Sequence, residues 1–369
     1  MEFSTQTQTD SSEVEKGDSQ STSKSSTVTL DQLVSLAIEN DASDIHFSEG
    51  SRVALRVGGK IIFIENITSL SKDTASKMVF SMLSDEVEQK RLKMLKELDF
   101  SYNHKSGVSF RVNAFYKQGR ISVVMRMISK HLSSLDDLGI PEEVKKLLPM
   151  REGLILVCGP AGSGKSTSIQ SMLEYVNQNF VKHIITIENP IEYIFEEKKC
   201  IFSQREVGKD TLTVENALQS AVREDPNVIM VSDISDAKVL DDVLTLVETG
   251  HLVIASLSTK DSRQTIEKMI NMYPQSQQKQ IQERIANNLI AILSQDLIDK
   301  SEKPGRVAAF ELLLNTENIR NIIKQDNLTQ LRTAMQSSAD EGMVTMDTYA
   351  YQLASQGIIS QESVGRFID

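Results

Sequence analysis

The octapeptide GPAGSGKS, Gly159 to Ser166, constrains this chain more than any other stretch. It matches G-x-x-x-x-G-K-[ST] at every fixed position. It follows the apolar run GLILVC and precedes a segment with Ile169, Met172, Leu173 and Val176 at helical spacing. Strand, glycine loop and helix in this order let backbone N–H groups close around a β-phosphate, aided by the helix N-terminus. Gly159, Ala161, Gly162, Ser163 and Gly164 are the expected cradle, continued by Thr167. Lys165 is expected to reach the β- and γ-phosphates and Ser166 to ligate Mg²⁺. ATP and Mg²⁺ are therefore the expected cofactors. The motif specifies nucleotide binding and leaves the reaction open.

The flanking pattern sets the architecture around that loop. GLILVCG, HIITIE, VIMVS and HLVIASLS are short, nearly continuous apolar runs that alternate with helical segments. Such runs predict a parallel sheet buried on both faces. From about residue 276 to the end, amphipathic helices are expected to dominate. Upstream, TLDQLVSLAIEN predicts a helix with capping-box spacing between Thr29 and Gln32. RVALRVGGKIIFI and SFRVNAFYKQGRISVVMRMI predict two hairpins, the second turning at Lys117 to Gly119, with a helical stretch over roughly 70–97 between them. Pro141 opens a helix after a linker.

The expected division is thus a disordered tail at 1–28, an α+β domain at 29–130, a linker and helix at 131–150, and an ATPase domain at 151–369. The tail is Ser/Thr/Gln-rich and carries too little apolar surface to offset its ordering entropy. The net charge of −11 argues against nucleic acid as a partner. Two cysteines, Cys158 and Cys200, form no CxxC pair, which suits a reducing cytoplasm. No run of 18 apolar residues exists to span a membrane.

The remaining motifs narrow the reaction. HIITIENPIEY, QREVGKDTLTVENALQSAVREDPNVIMV, ETGHLVIASLST and GRVAAFELL follow the loop in order, and DASDIHF, LDFSY and FRVNAFYKQGRISVVMR precede it. Together they resemble the PilT family of type IV pilus retraction ATPases within the secretion-ATPase superfamily, over roughly 29–369. The resemblance implies an α/β chain: a PAS-like α+β N-terminal domain, then a RecA-like ATPase domain with a helical C-terminus. It also implies a homo-hexameric ring that drives pilus retraction and twitching motility. The ring would dock on the cytoplasmic face of an inner-membrane pilus platform protein, with a second retraction ATPase as a further partner.

Residue roles follow from the same resemblance. Glu188 and Glu192 match the acidic box, with Asn189 in place of an aspartate, and suit Mg²⁺-bound water or nucleophile orientation. Loop carboxylates that only solvate remain the alternative for both. Asp233 stands where the family has the water-activating glutamate, and lacks one methylene. Ser235 replaces an arginine. His251 matches the first histidine of the histidine box, with a satisfied core histidine as the alternative; Ser258 replaces the second. Arg111 and Arg126 match the arginines that act as charge-neutralising fingers, with surface arginines on a half-buried hairpin as the alternative. ENIRNIIKQ resembles the family's AIRNLIRE segment.

The nucleotide-binding residues are intact, and four departures, at Asn189, Asp233, Ser235 and Ser258, concentrate where hydrolysis occurs. Three readings stay open: a retraction ATPase with a re-tuned site, an accessory subunit that hydrolyses slowly, and a nucleotide-gated ring component without useful hydrolysis.

Overall fold

The computed structural model describes residues 28–65, 67, 69–83, 85–128, 132–301 and 305–367. The expected N-terminal tail lies almost wholly outside them.

The first unit begins with α1 (Leu30–Glu39), whose start is locked by the capping box: the Thr29 hydroxyl accepts from Gln32 N–H, and the Gln32 side chain accepts from Thr29 N–H. It continues through β1 (Ala42–Ser48), β2 (Ala54–Val57), β3 (Lys60–Phe63), α2 (Lys72–Met82), α3 (Glu86–Leu95), β4 (Glu97–Asn103), β5 (Ser109–Lys117) and β6 (Arg120–Met127). The six strands form one antiparallel sheet in the order β3-β2-β1-β6-β5-β4. Ile45, Phe47, Phe110, Val112 and Met125 alternate onto the face covered by helices. The opposite face carries a polar cross-strand row: Ser101 pairs with Arg111, Arg111 with Arg126, Arg126 with Asp44, and Asp44 with Arg56. The helical stretch expected over 70–97 is two helices rather than one. Leu83 turns to an extended conformation, and the Asp85 carboxylate caps the second helix at Glu88 N–H.

The second unit comprises α4 (Glu142–Leu147), β7 (Gly153–Cys158), α5 (Lys165–Asn179), β8 (His183–Glu188), β9 (Ile201–Glu206), α6 (Val214–Ala221), β10 (Val228–Val231), α7 (Ala237–Glu248), β11 (Leu252–Leu257), α8 (Ser262–Asn271) and α9 (Gln275–Asn288). After these come β12 (Leu289–Asp299), β13 (Arg306–Leu314), α10 (Glu317–Lys324), α11 (Leu331–Ser337), α12 (Met346–Ser355) and α13 (Gln361–Val364). Its seven-stranded sheet runs β13-β12-β7-β11-β10-β8-β9, parallel except for the β12–β13 pair. Both faces are covered, as the continuous apolar runs require. On β7, Leu154, Leu156 and Cys158 join the core beneath α6 to α10, whereas Ile155 and Val157 join the core beneath α4 and α5.

Two long strands, β12 and β13, interrupt the C-terminal region expected to be mainly helical. α9 ends at Asn288 and the chain turns extended at Leu289 with no glycine or proline to mark the change. An unpunctuated apolar run such as LIAILSQDLI does not distinguish buried helix from buried strand by periodicity. Strand β9 was equally unmarked.

Candidate functional site

The phosphate loop joins β7 to α5, so its conformation follows from the sheet edge that precedes it. Gly159, Gly162 and Gly164 sit at φ 152°, 79° and 91°, positions where a Cβ is disfavoured. At Gly159 the constraint is also steric: a Cβ would lie 2.3 Å from the backbone oxygen of Gln295. Ala161, Gly162, Ser166 and Thr167 face solvent, and Ser163 is buried. The Lys165 ammonium donates to the carbonyls of Gly159 (2.7 Å) and Pro160 (3.0 Å). Partial burial holds its pKa below the ordinary lysine range, with the Asp233 carboxylate pulling the other way.

Asp233 follows β10 on backbone tied from both sides. Ser232 N–H donates to Ile187 O (3.0 Å), Ile234 N–H donates to Ser256 O (3.1 Å), and the Ser256 hydroxyl donates to Ser232 O. Its side chain is exposed at the tip but desolvated enough to raise its pKa, opposed by the ammonium groups of Lys268 and Lys165. Asp233 and Lys165 thus face one electrostatic environment. Lys268, on α8, also lies within 3.5 Å of the Ser258 carbonyl; it was not anticipated, because it is one cation on an amphipathic helix. Asp236, three residues on, accepts from Lys238 and Val239 N–H and serves as the N-cap of α7.

Glu188 ends β8 and is buried, 3% exposed. β11 and β10 separate β8 from the loop-bearing β7, a lateral distance of roughly 14 Å at ~4.8 Å per strand. Its Oε1 accepts from Thr186 Oγ1 (2.7 Å) and Gln204 Nε2 (3.2 Å), and its Oε2 from Glu192 N–H (3.4 Å). Burial, reinforced by the nearby Glu192 charge, raises its pKa against those donors. Thr186 was findable from period two along the strand; Gln204 sits on the unmarked β9.

The segment after Glu188 meets the polar row of the N-terminal sheet. Arg111 Nη1 donates to Glu192 Oε1 (2.9 Å). Ser101 Oγ contacts Glu206 Oε2 (2.6 Å) and Ile191 O (3.2 Å). Arg126 is engaged elsewhere: its Nε donates to the buried Asp44 (2.9 Å), which also pairs with Arg56 Nε (3.4 Å). Arg111 and Arg126 are cross-strand neighbours, yet only Arg111 bridges the two units.

His251, expected near the nucleotide, lies away from this chain's own loop. It precedes β11 at the edge of the sheet where β7 begins, because Leu252 pairs with Gly153 while the loop leaves β7 beyond Cys158. Five residues of strand, roughly 16 Å, therefore separate His251 from this chain's own phosphate loop. Its Nδ1 lies 2.8 Å from Leu246 O, and its backbone oxygen accepts from Gly153 N–H. It is a hydrogen-bonded histidine at the end of α7, and the residue near the loop end of β11 is Ser258.

Among the described residues, no group of three or more His, Cys, Asp or Glu side chains gathers into a metal cage. An exposed hydroxyl at Ser166 and the carboxylate of Asp233 are hard oxygen donors of the kind that accompany Mg²⁺ bound largely by phosphate and water.

The chain is similar to known proteins in sequence and in fold. The family model described as Type II/IV secretion system protein matches residues 19–366. The type IV pilus retraction ATPase PilT of Pseudomonas aeruginosa is 36% identical, covering 90% of this chain and 96% of the relative. The type IV pilus ATPase PilU of the same organism is 34% identical, covering 90% and 87%. The crystal structure of the pilus retraction motor PilT with bound ADP superposes with a TM-score of 0.86 at 38% identity, covering 92% of this chain and 97% of that one.

Proposed function

Because the chain belongs to the type II/IV secretion system family, in its branch of PilT-like pilus-retraction ATPases, we propose that it converts ATP hydrolysis into retraction of a type IV pilus, and so into twitching motility. The observation that carries this reading is that the Lys165 loop leaves β7 and Asp233 follows β10 at the same end of the parallel sheet, Asp233 on backbone fixed by β8 and β11. A held cation and a held carboxylate facing one loop suit charge neutralisation and water orientation, which are most of what phosphoryl transfer needs.

In this reading Gly159, Ala161, Gly162, Ser163, Gly164 and Thr167 cradle the nucleotide, and Lys165 releases its carbonyl partners to meet the phosphates. Ser166 would help hold Mg²⁺, which would supply charge neutralisation to the phosphates. Asp233 orients the attacking water. Glu188, with both oxygens already accepting hydrogen bonds, acts through water rather than as a direct ligand. Glu192 and Arg111 couple the acidic segment to the N-terminal sheet, and Arg126, oriented by Asp44, faces a neighbouring subunit's nucleotide. The separate cores support two units, 29–130 and a second in which the expected linker stretch 131–150 packs with 151–369, since Leu135, Ile140, Val144 and Leu148 join its core. A homo-hexameric ring docks peripherally on a pilus platform protein at the inner membrane; among the described residues no helix is long and apolar enough to cross one.

An accessory subunit that assists a second retraction ATPase is the competing reading. The observations favouring it are the short Asp233 side chain and the near-equal identities to PilT and PilU, 36% and 34%. Phosphate release by the purified oligomer, beside Lys165→Ala, separates the two. Turnover abolished by Lys165→Ala supports the autonomous motor. Turnover no higher than that of Lys165→Ala rejects it, and stimulation on adding a second retraction ATPase then supports the accessory role.

A further inference from the structure

Gln295, on β12, touches both ends of the phosphate loop. It is 1% exposed, in the middle of a sheet, and nothing in the loop motif points to it. Its main chain closes the loop's start: the Gln295 oxygen sits where any Cβ at Gly159 would have to go, 2.3 Å away. Its side chain reaches the loop's end. Nε2 donates to the Ser163 carbonyl at 2.6 Å and lies 3.1 Å from where a Gly164 Cβ would stand. Gln295 Oε1, also buried, has no hydrogen-bond partner among the described residues. The amide therefore has one committed group, the donor aimed at the loop, and a buried acceptor left unmatched, an arrangement that ordinary core packing disfavours.

The bond to Ser163 has a directional consequence. In a planar trans peptide the carbonyl and the following N–H point in opposite directions. Drawing the Ser163 carbonyl toward β12 therefore turns the Gly164 N–H away from β12, toward the open side of the loop. Gly164 is the N-cap of α5, at φ 91°, so this N–H begins the row of free donors at the helix N-terminus. Without the tether, the 163–164 peptide can rotate and its dipole can oppose an incoming phosphate.

We propose that Gln295 is a positioning residue for the nucleotide: its side-chain amide holds the 163–164 peptide in the orientation that presents the Gly164 N–H to a phosphate. This rests on the reading that the loop binds nucleotide. It acts through the loop and touches no reacting atom.

The test is the affinity of the purified full-length protein for a fluorescent ADP analogue, without hydrolysis, for wild type, Gln295→Met, Gln295→Leu and Lys165→Ala. Methionine keeps length and volume and removes the donor. The expected result is a Kd raised about tenfold in both Gln295 variants, with the KM for ATP rising in parallel and kcat at saturation changing less than threefold. Residues serving only as core packing would lower the melting temperature and leave Kd unmoved. A Kd within twofold of wild type in a folded Gln295 variant, with Lys165→Ala defective, overturns the positioning role alone. Normal binding by Lys165→Ala overturns the underlying nucleotide reading. If neither Gln295 variant shows a cooperative thermal transition, Gln295 is a fold determinant and the proposal fails.

Discussion

Asp233 sets the sharpest quantitative expectation. The backbone on either side is held by hydrogen bonds of 3.0 and 3.1 Å to β8 and β11, so the chain cannot advance to make up for a missing methylene. A carboxylate withdrawn by about 1.5 Å from a water-activating position corresponds to a rate deficit on the order of 10², since misplacement of ~1 Å costs about that much. Asp233→Glu restores the reach and is expected to raise kcat by roughly 10- to 100-fold, with KM for ATP changing less than twofold because Lys165 and the loop glycines are untouched. Asp233→Asn keeps the size, removes the charge, and is expected to lower kcat at least tenfold. The assay is steady-state phosphate release at saturating Mg²⁺ and ATP, with Lys165→Ala as the background. If Asp233→Glu slows the enzyme while Asp233→Asn leaves it unchanged, reach at this position does not limit the reaction, and the argument from a fixed backbone is refuted.

Three further outcomes follow from the geometry. Arg111→Ala removes a half-exposed ion pair worth only about 0.5 kcal/mol of stability, yet turnover of the assembled ring is expected to fall at least tenfold; calorimetry and phosphate release together check the split. Asp44→Asn weakens charge-assisted bonds to Arg126 and Arg56 and is expected to cost ~2 kcal/mol in urea unfolding. Because the Asp44 pKa is lowered on folding from its ordinary 3.8, that contribution is present above pH 3.8 and lost as pH falls through the lower folded value, so wild type and variant converge in acid. Glu311 behaves oppositely. Burial raises its pKa above 4.5 despite donors from Ser262 and Ser294, so the stability linked to it is complete below pH 4.5 and declines as pH rises through the folded value. Glu311→Gln is therefore expected to gain melting temperature relative to wild type between pH 4.5 and 7, and a constant difference across that range rejects the assignment.

Legibility varied with how local each signal was. Thr29 and Gln32 announced a helix start because both partners of the capping box lie within one turn. The Gly58–Gly59 and Gln118–Gly119 hairpins were equally self-contained. β12 was missed because a buried strand without flanking turn residues looks like any apolar run, and β9 because IFSQRE, a half-exposed edge strand, has too few apolar residues to mark it. With β12 went Gln295 and with β9 went Gln204, both polar residues whose use lies on another element.

By itself, the sequence determined the phosphate loop, its strand and helix, and the family, because those depend on residues adjacent along the chain. Only the tertiary structure decided which candidates share a site. Strand order and direction brought Asp233 to the same end of the sheet as the Lys165 loop, set Glu188 three strands from the loop-bearing β7, sent Arg111 to Glu192 and Arg126 to Asp44, and left His251 at the opposite end of the strands. A strand carries its residues to opposite edges over some six positions. Spacing along the chain therefore cannot tell which edge a residue occupies until the neighbouring strands and their directions are known.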